Sequence, residues 1–445
     1  MGRMVKRIAV LAGVNVLVLA VLAEIVALAV FYVRTGWLFY LDPYRPAVER
    51  VAVDAGQGLT GQGLHPYFGP THKPGIPFDM PDALKPPATA GAGAPAPRPA
   101  TNNFGFVAAF DYPFAKARPE QFVVGILGGS VGAWFCQVGA PRLADDLRRH
   151  PYFASRDIVP LCLSHEGYKQ PQQLLVLSYF LAIGQAFDLV VNIDGFNEVA
   201  LGALNDARGF DVSMPSVMHM GPLIDLTSQA TLTPRKVALL AAIRADQARL
   251  DRLAERLDRT WSAAVYVVTG QYRRYVERRV QAARVAYDAL PAASGDASVI
   301  RVTPRLGARA GNARYQAIAD DWSRSSLLMR DALRVRNVPY VHVLQPNQYF
   351  TRRTFTADEA RVALNPGSPF KTGAEQGYPA LVRAAAALAR QGVTIVDATA
   401  SFDREPAAVY IDDCCHYTRR GYELLADLIA ARTLAGPGPW TSEAR

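Results

Sequence analysis

The stretch Val123-Val124-Gly125-Ile126-Leu127-Gly128-Gly129-Ser130-Val131-Gly132-Ala133 decides the expected fold of this 445-residue chain. The apolar run from Phe122 to Leu127 is typical of a strand buried on both faces, as in a parallel sheet. Two glycines then permit a tight turn before a predicted helix. Ser130 is therefore expected at the carboxyl edge of the sheet, where open α/β sheets bind ligands. Taken alone, the stretch also fits a glycine-rich turn with a capping serine, whereas its spacing excludes a P-loop and a G-x-G-x-x-G motif.

Apolar strands alternate with helical segments along the rest of the chain, which predicts a parallel sheet with helices on both faces. The predicted architecture is a three-layer α/β/α sandwich around a mostly parallel sheet. Between about residues 234 and 290 the spacing is helical throughout and indicates an inserted helical hairpin. The further predicted strands are Ile158–Leu163, Phe187–Ile193, Val338–Leu344 and Val393–Val396.

The N-terminus predicts a membrane anchor. Arg3, Lys6 and Arg7 precede an apolar run from Ile8 to Val33, which is long enough to cross a bilayer and too long for a cleavable signal peptide. We expect a single-pass helix with its N-terminus in the cytoplasm and the remaining chain on the periplasmic side of the inner membrane. Glu24 would cost about 2.5–3.5 kcal/mol in the span if ionised. It is expected to be protonated or to face another helix, including one from a membrane partner protein.

Composition divides the chain into four segments. Residues 1–34 form the cytoplasmic tip and anchor, and residues 35–101 form a tether rich in Pro, Gly and Ala. Aromatic residues between His65 and Phe78 suggest that part of this tether packs on the domain. Residues 102–435 are expected to form the main α/β domain, which includes the helical insertion, with residues 436–445 as a tail.

Charge and cysteine content exclude several classes of function. The net charge is +9, but the basic residues are scattered rather than clustered, so we expect no nucleic-acid partner. None of the cysteines forms a C-x-x-C pair, and we expect neither a metal site nor a cofactor. In an oxidising compartment some of them could form disulfides, although spacing alone does not say which. The four are Cys136, Cys162, Cys414 and Cys415.

Four blocks, each at the end of a predicted strand, resemble those of the SGNH, or GDSL-type, superfamily of esterases and acyltransferases. In chain order they are Gly128-Gly129-Ser130, Glu166-Gly167-Tyr168, Gly195-Phe196-Asn197-Glu198 and Asp413-Cys414-Cys415-His416. Gly129 stands where the family usually carries aspartate, and Glu198 also replaces an aspartate. Neither position carries the central chemistry in the family.

The resemblance implies a flavodoxin-like fold and a triad of Ser130, His416 and Asp413. Histidine would accept the serine proton, and the aspartate would orient the imidazole ring. Asp412 is the alternative to Asp413. The backbone N–H groups of Ser130 and Gly167 and the side-chain amide of Asn197 would form the oxyanion hole.

Three other polar side chains are candidate substrate contacts. His165 lies near the predicted oxyanion loop, and Gln345 and Tyr349 follow a strand that ends at the same edge of the sheet. Each has a structural alternative: a solvated loop residue for His165 and a packing role for the other two.

The resemblance and the anchor together predict the reaction. We expect hydrolysis or transfer of small acyl groups, including O-acetyl groups, on an envelope or secreted polysaccharide through an acyl-serine intermediate. Two alternatives remain open at this stage. One is a non-catalytic envelope scaffold on the same fold, and the other is a lipase-like esterase acting on membrane lipid esters.

Overall fold

The computed structural model describes residues 2–35, 38–40, 62–78, 80–84, 99–221, 233–290 and 311–441. The chain divides into two compact units. The first comprises Met1–Thr60 and Ser228–Ala297, and the second comprises Gly61–Thr227 and Ser298–Arg445. We describe each unit separately.

The first unit contains the N-terminal helix α1 (Gly2–Thr35) and the predicted helical hairpin, α5 (Pro234–Arg259) and α6 (Ala263–Asp288). Helix α1 includes a segment, Val10–Val33, that is long and apolar enough to span a membrane. The orientation of this helix stays a prediction. The side chains of Thr233 and Ser262 cap α5 and α6 by accepting backbone N–H groups.

Glu24 faces a helix of its own chain. Its carboxylate accepts hydrogen bonds from Ser262 Oγ at 2.6 Å and from the backbone N–H groups of Ala263 and Ala264 at 2.6 and 3.1 Å. Tyr40 Oη donates a further bond at 2.8 Å. The N-terminus of a helix carries partial positive charge, so α6 supplies the compensation that an acidic residue in an apolar segment requires.

The second unit is built on a five-stranded parallel sheet, which confirms the predicted α/β class. Its order is β4 (Asp157–Ser164), β3 (Gln121–Gly128), β5 (Leu189–Asp194), β6 (Tyr340–Leu344), β7 (Thr394–Asp397). All residues of β3 are buried, as its unbroken apolar pattern predicts. Because β4 and β5 lie on opposite sides of β3, the chain reverses its direction of winding between β3 and β5. Such a switch point is where open α/β sheets bind ligands.

Helices connect the strands and form two packed groups. The longer helices among the described residues of this unit are α2 (Ser130–Arg148), α3 (Gln172–Ala182), α4 (Phe196–Ala207), α7 (Asn312–Arg334), α8 (Ala357–Ala363), α9 (Lys371–Arg390) and α10 (Arg419–Ala435). Helix α2 packs against α10, whereas α4, α7 and α9 pack against one another. A disulfide joins Cys136 in α2 to Cys162 in β4 across a Cα–Cα distance of 5.7 Å.

The α/β unit begins earlier than the boundary at residue 102 that composition predicts. Strands β1 (Gln62–His65) and β2 (Gly69–His72) form an antiparallel pair within the predicted tether. Tyr168 Oη donates to Pro70 O at 2.7 Å, so this hairpin packs on the domain, as its aromatic content suggests. Its short strands, rich in Gly, Pro and His, lack the apolar alternation by which strands are recognised.

Candidate active site

Ser130 is the first residue of α2 and follows directly from the end of β3. Gly128, the last residue of the strand, has φ +155°, and a Cβ there would lie 2.3 Å from Ile193 O. Only glycine permits this approach of β3 to β5. Ser130 is buried, and its Oγ lies 2.7 Å from His416 Nε2.

His416 lies in the segment between β7 and α10. While Nε2 faces Ser130, Nδ1 lies 2.5 Å from Asp412 Oδ2. Serine, histidine and aspartate thus form one continuous hydrogen-bonded chain. In this arrangement the imidazole can accept the serine proton while the carboxylate holds the opposite N–H.

The carboxylate of Asp412 is itself held by the backbone. Its Oδ1 accepts the N–H groups of Cys414, Cys415 and His416 at 3.0, 3.0 and 3.2 Å. The turn from Asp412 to His416 therefore closes around one oxygen and leaves Oδ2 for the imidazole. Such a turn is characteristic of aspartate, whose short side chain reaches backbone donors a few residues ahead.

Asp413, which the resemblance assigns as the orienting acid, does not contact the imidazole. Its carboxylate accepts a hydrogen bond from Asn365 Nδ2 at 2.7 Å and does not bond His416. The carboxylate that bonds His416 is that of the neighbouring Asp412, the alternative. The physical reason is the turn, which folds the Asp412 side chain back over the next N–H groups and directs Asp413 elsewhere.

The ion pair sets the protonation of His416 and Asp412. Burial of the imidazole is the largest influence and opposes its charged form, but the negative charges of Asp412 and Cys415 and the hydrogen bonds with both side chains together raise the pKa of His416 well above its usual value. Burial likewise opposes the charge of Asp412, but the imidazolium and its hydrogen bond lower the pKa of that carboxyl. The base is therefore fully neutral only on the alkaline side of its usual range.

Asn197 lies in the first turn of α4, against the residue that precedes the serine. A Cβ on Gly129 would lie 2.2 Å from Asn197 Nδ2, so the amide occupies the space that a side chain at position 129 would need. Nδ2 donates one hydrogen bond to Tyr168 O at 2.8 Å. Since an amide nitrogen carries two hydrogens, this bond fixes the side chain without using all of its donor capacity.

Gly167 is the second predicted oxyanion residue and lies in the loop after β4. It has φ +74°, and a Cβ there would lie 2.3 Å from the ring of His219, so both backbone conformation and space require glycine. The loop is joined to the end of β3 by the bond from His165 N to Gly128 O at 3.3 Å. The assignment of Gly167 and Asn197 to an oxyanion hole stays a prediction.

Glu198 connects the two loops that carry these residues, a role that sequence reasoning missed. Its carboxylate accepts Gln170 N at 2.8 Å and Gly195 N at 2.7 Å. The residue is only 3% exposed, and burial, together with the negative charge of Asp194, raises its pKa to about 8. The only sequence signal is an acidic residue three positions after Gly195 at a helix start, the spacing of a capping box.

Asp194, at the end of β5, organises a second buried network beneath the site. It accepts hydrogen bonds from Trp322 Nε1 at 2.6 Å and Asn192 Nδ2 at 2.6 Å. His342 Nε2 lies 2.8 Å from the same carboxylate. Several donors therefore satisfy the hydrogen-bonding capacity of this buried carboxylate, which indicates a structural role for Asp194.

Two of the three candidate substrate contacts are buried, and the third is partly exposed. His165 is 1% exposed, and its Nδ1 lies 3.0 Å from a backbone carbonyl oxygen. Gln345 is 3% exposed and donates to Tyr417 Oη at 3.4 Å. Tyr349 is partly exposed, and its Oη donates to Asp413 O at 2.9 Å, which ties it to the acid loop. Their contact with substrate stays a prediction.

Among the residues that the structure describes, two groups of side chains have the atom types that bind metals. Their ligand atoms lie within 4.8 Å of one another: His72 with His165 and Glu166, and Cys414 with Cys415 and His416. In the first group, His72 Nε2 lies 3.0 Å from Glu166 Oε2, which is a hydrogen-bond distance. The second group contains the imidazole that faces Ser130. The expectation of no metal and no cofactor stays a prediction.

Comparison of the sequence with protein-family models finds no match, and comparison with curated proteins finds none either.

Asp412 and Asp413 offer a matched pair of substitutions. Asp412→Asn should slow the reaction of Ser130 with a fluorophosphonate by roughly 10³–10⁴-fold, because the orienting carboxylate is lost. Its pH profile should also shift to lower pH, because the charge that raises the pKa of His416 is gone. Asp413→Asn should leave rate and profile nearly unchanged. The test is the labelling rate of both variants, measured from pH 5 to 9. A larger loss of rate in Asp413→Asn than in Asp412→Asn would contradict the assignment of Asp412 as the orienting acid.

Shortening Glu198 tests its role as a bridge. Glu198→Asp keeps the carboxyl group, but the shorter side chain can no longer reach both N–H groups, and one buried unpaired donor costs about 1–3 kcal/mol. We expect a loss of that size in urea unfolding. Glu375→Asp, an exposed glutamate in α9, is the control and should change stability little. If the two variants had equal free energies of unfolding, the hydrogen bonds of Glu198 would not be what joins the two loops.

Proposed function

We propose that this protein is a serine esterase or acyltransferase of the SGNH type, held at the membrane by its N-terminal helix. The observation that carries the proposal is the hydrogen-bonded chain from Ser130 Oγ through His416 to Asp412, with distances of 2.7 and 2.5 Å. The proposed nucleophile begins the helix after β3, and the proposed base and orienting acid share the Asp412–His416 turn, which reaches the switch point of the sheet from a distant part of the chain. This placement supports catalysis over a scaffold function.

The proposed reaction begins with attack of Ser130 Oγ on the ester carbonyl, while His416 Nε2 accepts the hydroxyl proton. The tetrahedral oxyanion receives hydrogen bonds from the N–H groups of Ser130 and Gly167 and from the Asn197 amide. As the intermediate collapses, His416 returns the proton to the departing alcohol and an acyl-serine remains. Water or an acceptor hydroxyl, deprotonated by His416, then releases the acyl group.

The finer architecture belongs to the same proposal. Helices α2 and α10 pack together, as do α4, α7 and α9, which supports one layer of helices on each face of the sheet. We infer a three-layer α/β/α sandwich of flavodoxin-like type. The strand order, with β3 between β4 and β5, matches the flavodoxin-like order of doubly wound sheets.

The proposed substrates are small acyl esters, O-acetyl groups among them, on an envelope or secreted polysaccharide. The support is the resemblance of the four sequence blocks together with an N-terminal helix of spanning length. A periplasmic location on the inner membrane would place the enzyme beside such polymers. Membrane lipid esters are the competing substrate class.

Covalent labelling tests the proposed nucleophile. Wild-type protein should react with a fluorophosphonate at Ser130, because His416 is placed to activate that hydroxyl. Ser130→Ala should abolish labelling, and Ser155→Ala, which alters an exposed serine, should not. Peptide mass spectrometry locates the adduct. Absence of labelling in folded wild-type protein would favour the scaffold function.

Substrate class is decided on the same preparations. We expect faster hydrolysis of O-acetylated oligosaccharides than of long-chain lipid esters in detergent. The opposite preference would transfer the proposal to membrane lipids without affecting the triad.

Asn197 and Gly129 provide a test of the oxyanion hole. Asn197→Ala should lower kcat by roughly 10²–10³-fold with little change in KM, because the lost bond belongs to the transition state. Gly129→Ala should have a similar effect, because its methyl group needs the space of the Asn197 amide. The double variant should therefore be little worse than either single one. Wild-type kcat in Asn197→Ala, with a lowered melting temperature, would leave the residue a structural role only.

A further inference from the structure

The adjacent cysteines Cys414 and Cys415 carry thiols that the proposed reaction does not use. Their Sγ atoms lie 3.2 Å apart. Cys414 is partly exposed, whereas Cys415 is 1% exposed. Neither takes part in the disulfide between Cys136 and Cys162. Cys414 is therefore the residue of the pair that is closer to solvent, and Cys415 lies beside it.

The peptide that joins these cysteines also holds the orienting acid. Both of its flanking N–H groups, from Cys414 and Cys415, donate to Asp412 Oδ1 at 3.0 Å. The other oxygen of that carboxylate bonds His416. Any rotation of the Cys414–Cys415 peptide therefore reaches the base through the Asp412 carboxylate, and Cys415 also lies beside His416.

We propose that Cys414 and Cys415 form an oxidation site, which low-molecular-weight disulfides convert into a reversible vicinal disulfide that lowers turnover at Ser130. The effect on turnover rests on the proposed function, whereas formation of the cross-link does not. The Cys414 thiolate attacks the disulfide reagent and expels one thiolate. Cys415 then loses its proton and attacks Cys414 Sγ, which expels the second. Two protein thiols are oxidised, and one reagent disulfide is reduced to two thiols.

The geometry makes this cross-link reversible. Adjacent Cα atoms are about 3.8 Å apart across a trans peptide. Most disulfides need roughly 4.4–6.8 Å, so the bond would be strained and easily reduced. The Cys136–Cys162 pair, at 5.7 Å, lies within the usual range and suits a permanent link. Its presence in the same unit indicates folding where disulfides persist.

Closing the vicinal ring also weakens the support of Asp412. Drawing the sulfur atoms from 3.2 Å to bonding distance must turn the peptide between the cysteines. At least one N–H then leaves Asp412 Oδ1, so the carboxylate loses its fixed position and His416 loses its orientation. The expected result is a lower kcat in the oxidised protein.

The cross-link is tested by trapping. The full-length protein in detergent is treated with oxidised glutathione, quenched in acid and alkylated under denaturing conditions. The peptide containing both cysteines should be unalkylated and lighter by two hydrogens, and dithiothreitol should restore two alkylated thiols. Cys414→Ser, with Cys414→Ala as a second choice if it folds poorly, should keep Cys415 alkylatable. Two alkylated thiols after oxidation, or a glutathione adduct that remains on Cys414, would overturn the proposal.

Turnover is measured on the same samples. Oxidation should lower kcat of the wild type by at least about tenfold, and reduction should restore it. Cys414→Ser should not respond, which separates this pair from the Cys136–Cys162 disulfide. A cross-link without a change in kcat would overturn control of turnover. A protein with no esterase activity in either state would instead contradict the proposed function, and the mass measurement would still decide the cross-link.

Discussion

The candidate site depends on the absence of a side chain at Gly128. A Cβ at this position would lie 2.3 Å from Ile193 O, so any other residue would push β3 away from β5. With glycine, the loops after the two strands end side by side at the point where the chain reverses its winding. Ser130 and Asn197 are the first polar side chains on those loops. Glu198 then holds the second loop to the chain at Gln170. The positions of the candidate site residues therefore depend on how closely the backbone of these strands and loops packs.

Much of the α/β unit follows from apolar patterning alone. The central strands are fully buried, and a short unbroken run such as Phe122–Leu127, followed by two glycines, is typical of a strand covered on both faces. The β1–β2 hairpin could not be found in this way. Its stability comes from contacts such as Tyr168 Oη with Pro70 O, which join residues nearly a hundred positions apart. Local composition carries no trace of such a contact.

Ser130 and His416, which the sequence blocks single out, have Oγ and Nε2 only 2.7 Å apart. Ser130 follows β3 directly, whereas His416 lies in the segment between β7 and α10. The choice between Asp412 and Asp413 depends on how a short turn distributes its N–H groups, which spacing does not specify. Glu198 was missed because a carboxylate in a sequence gives no sign that it will be buried, and its partners are backbone groups.

The hydrogen bonds between Glu24 and the start of α6 give the N-terminal helix a structural role in addition to that of a possible membrane anchor. Glu24 lies nine residues before Val33, about 14 Å along the helix axis, so its carboxylate sits well inside the apolar segment. There it caps the N–H groups of Ala263 and Ala264, which no apolar residue can do. The N-terminal helix is therefore an integral part of the first unit and not a hydrophobic anchor that any other apolar helix could replace. A foreign spanning segment of equal length would tether the chain but leave the N–H groups of Ala263 and Ala264 without the Glu24 carboxylate.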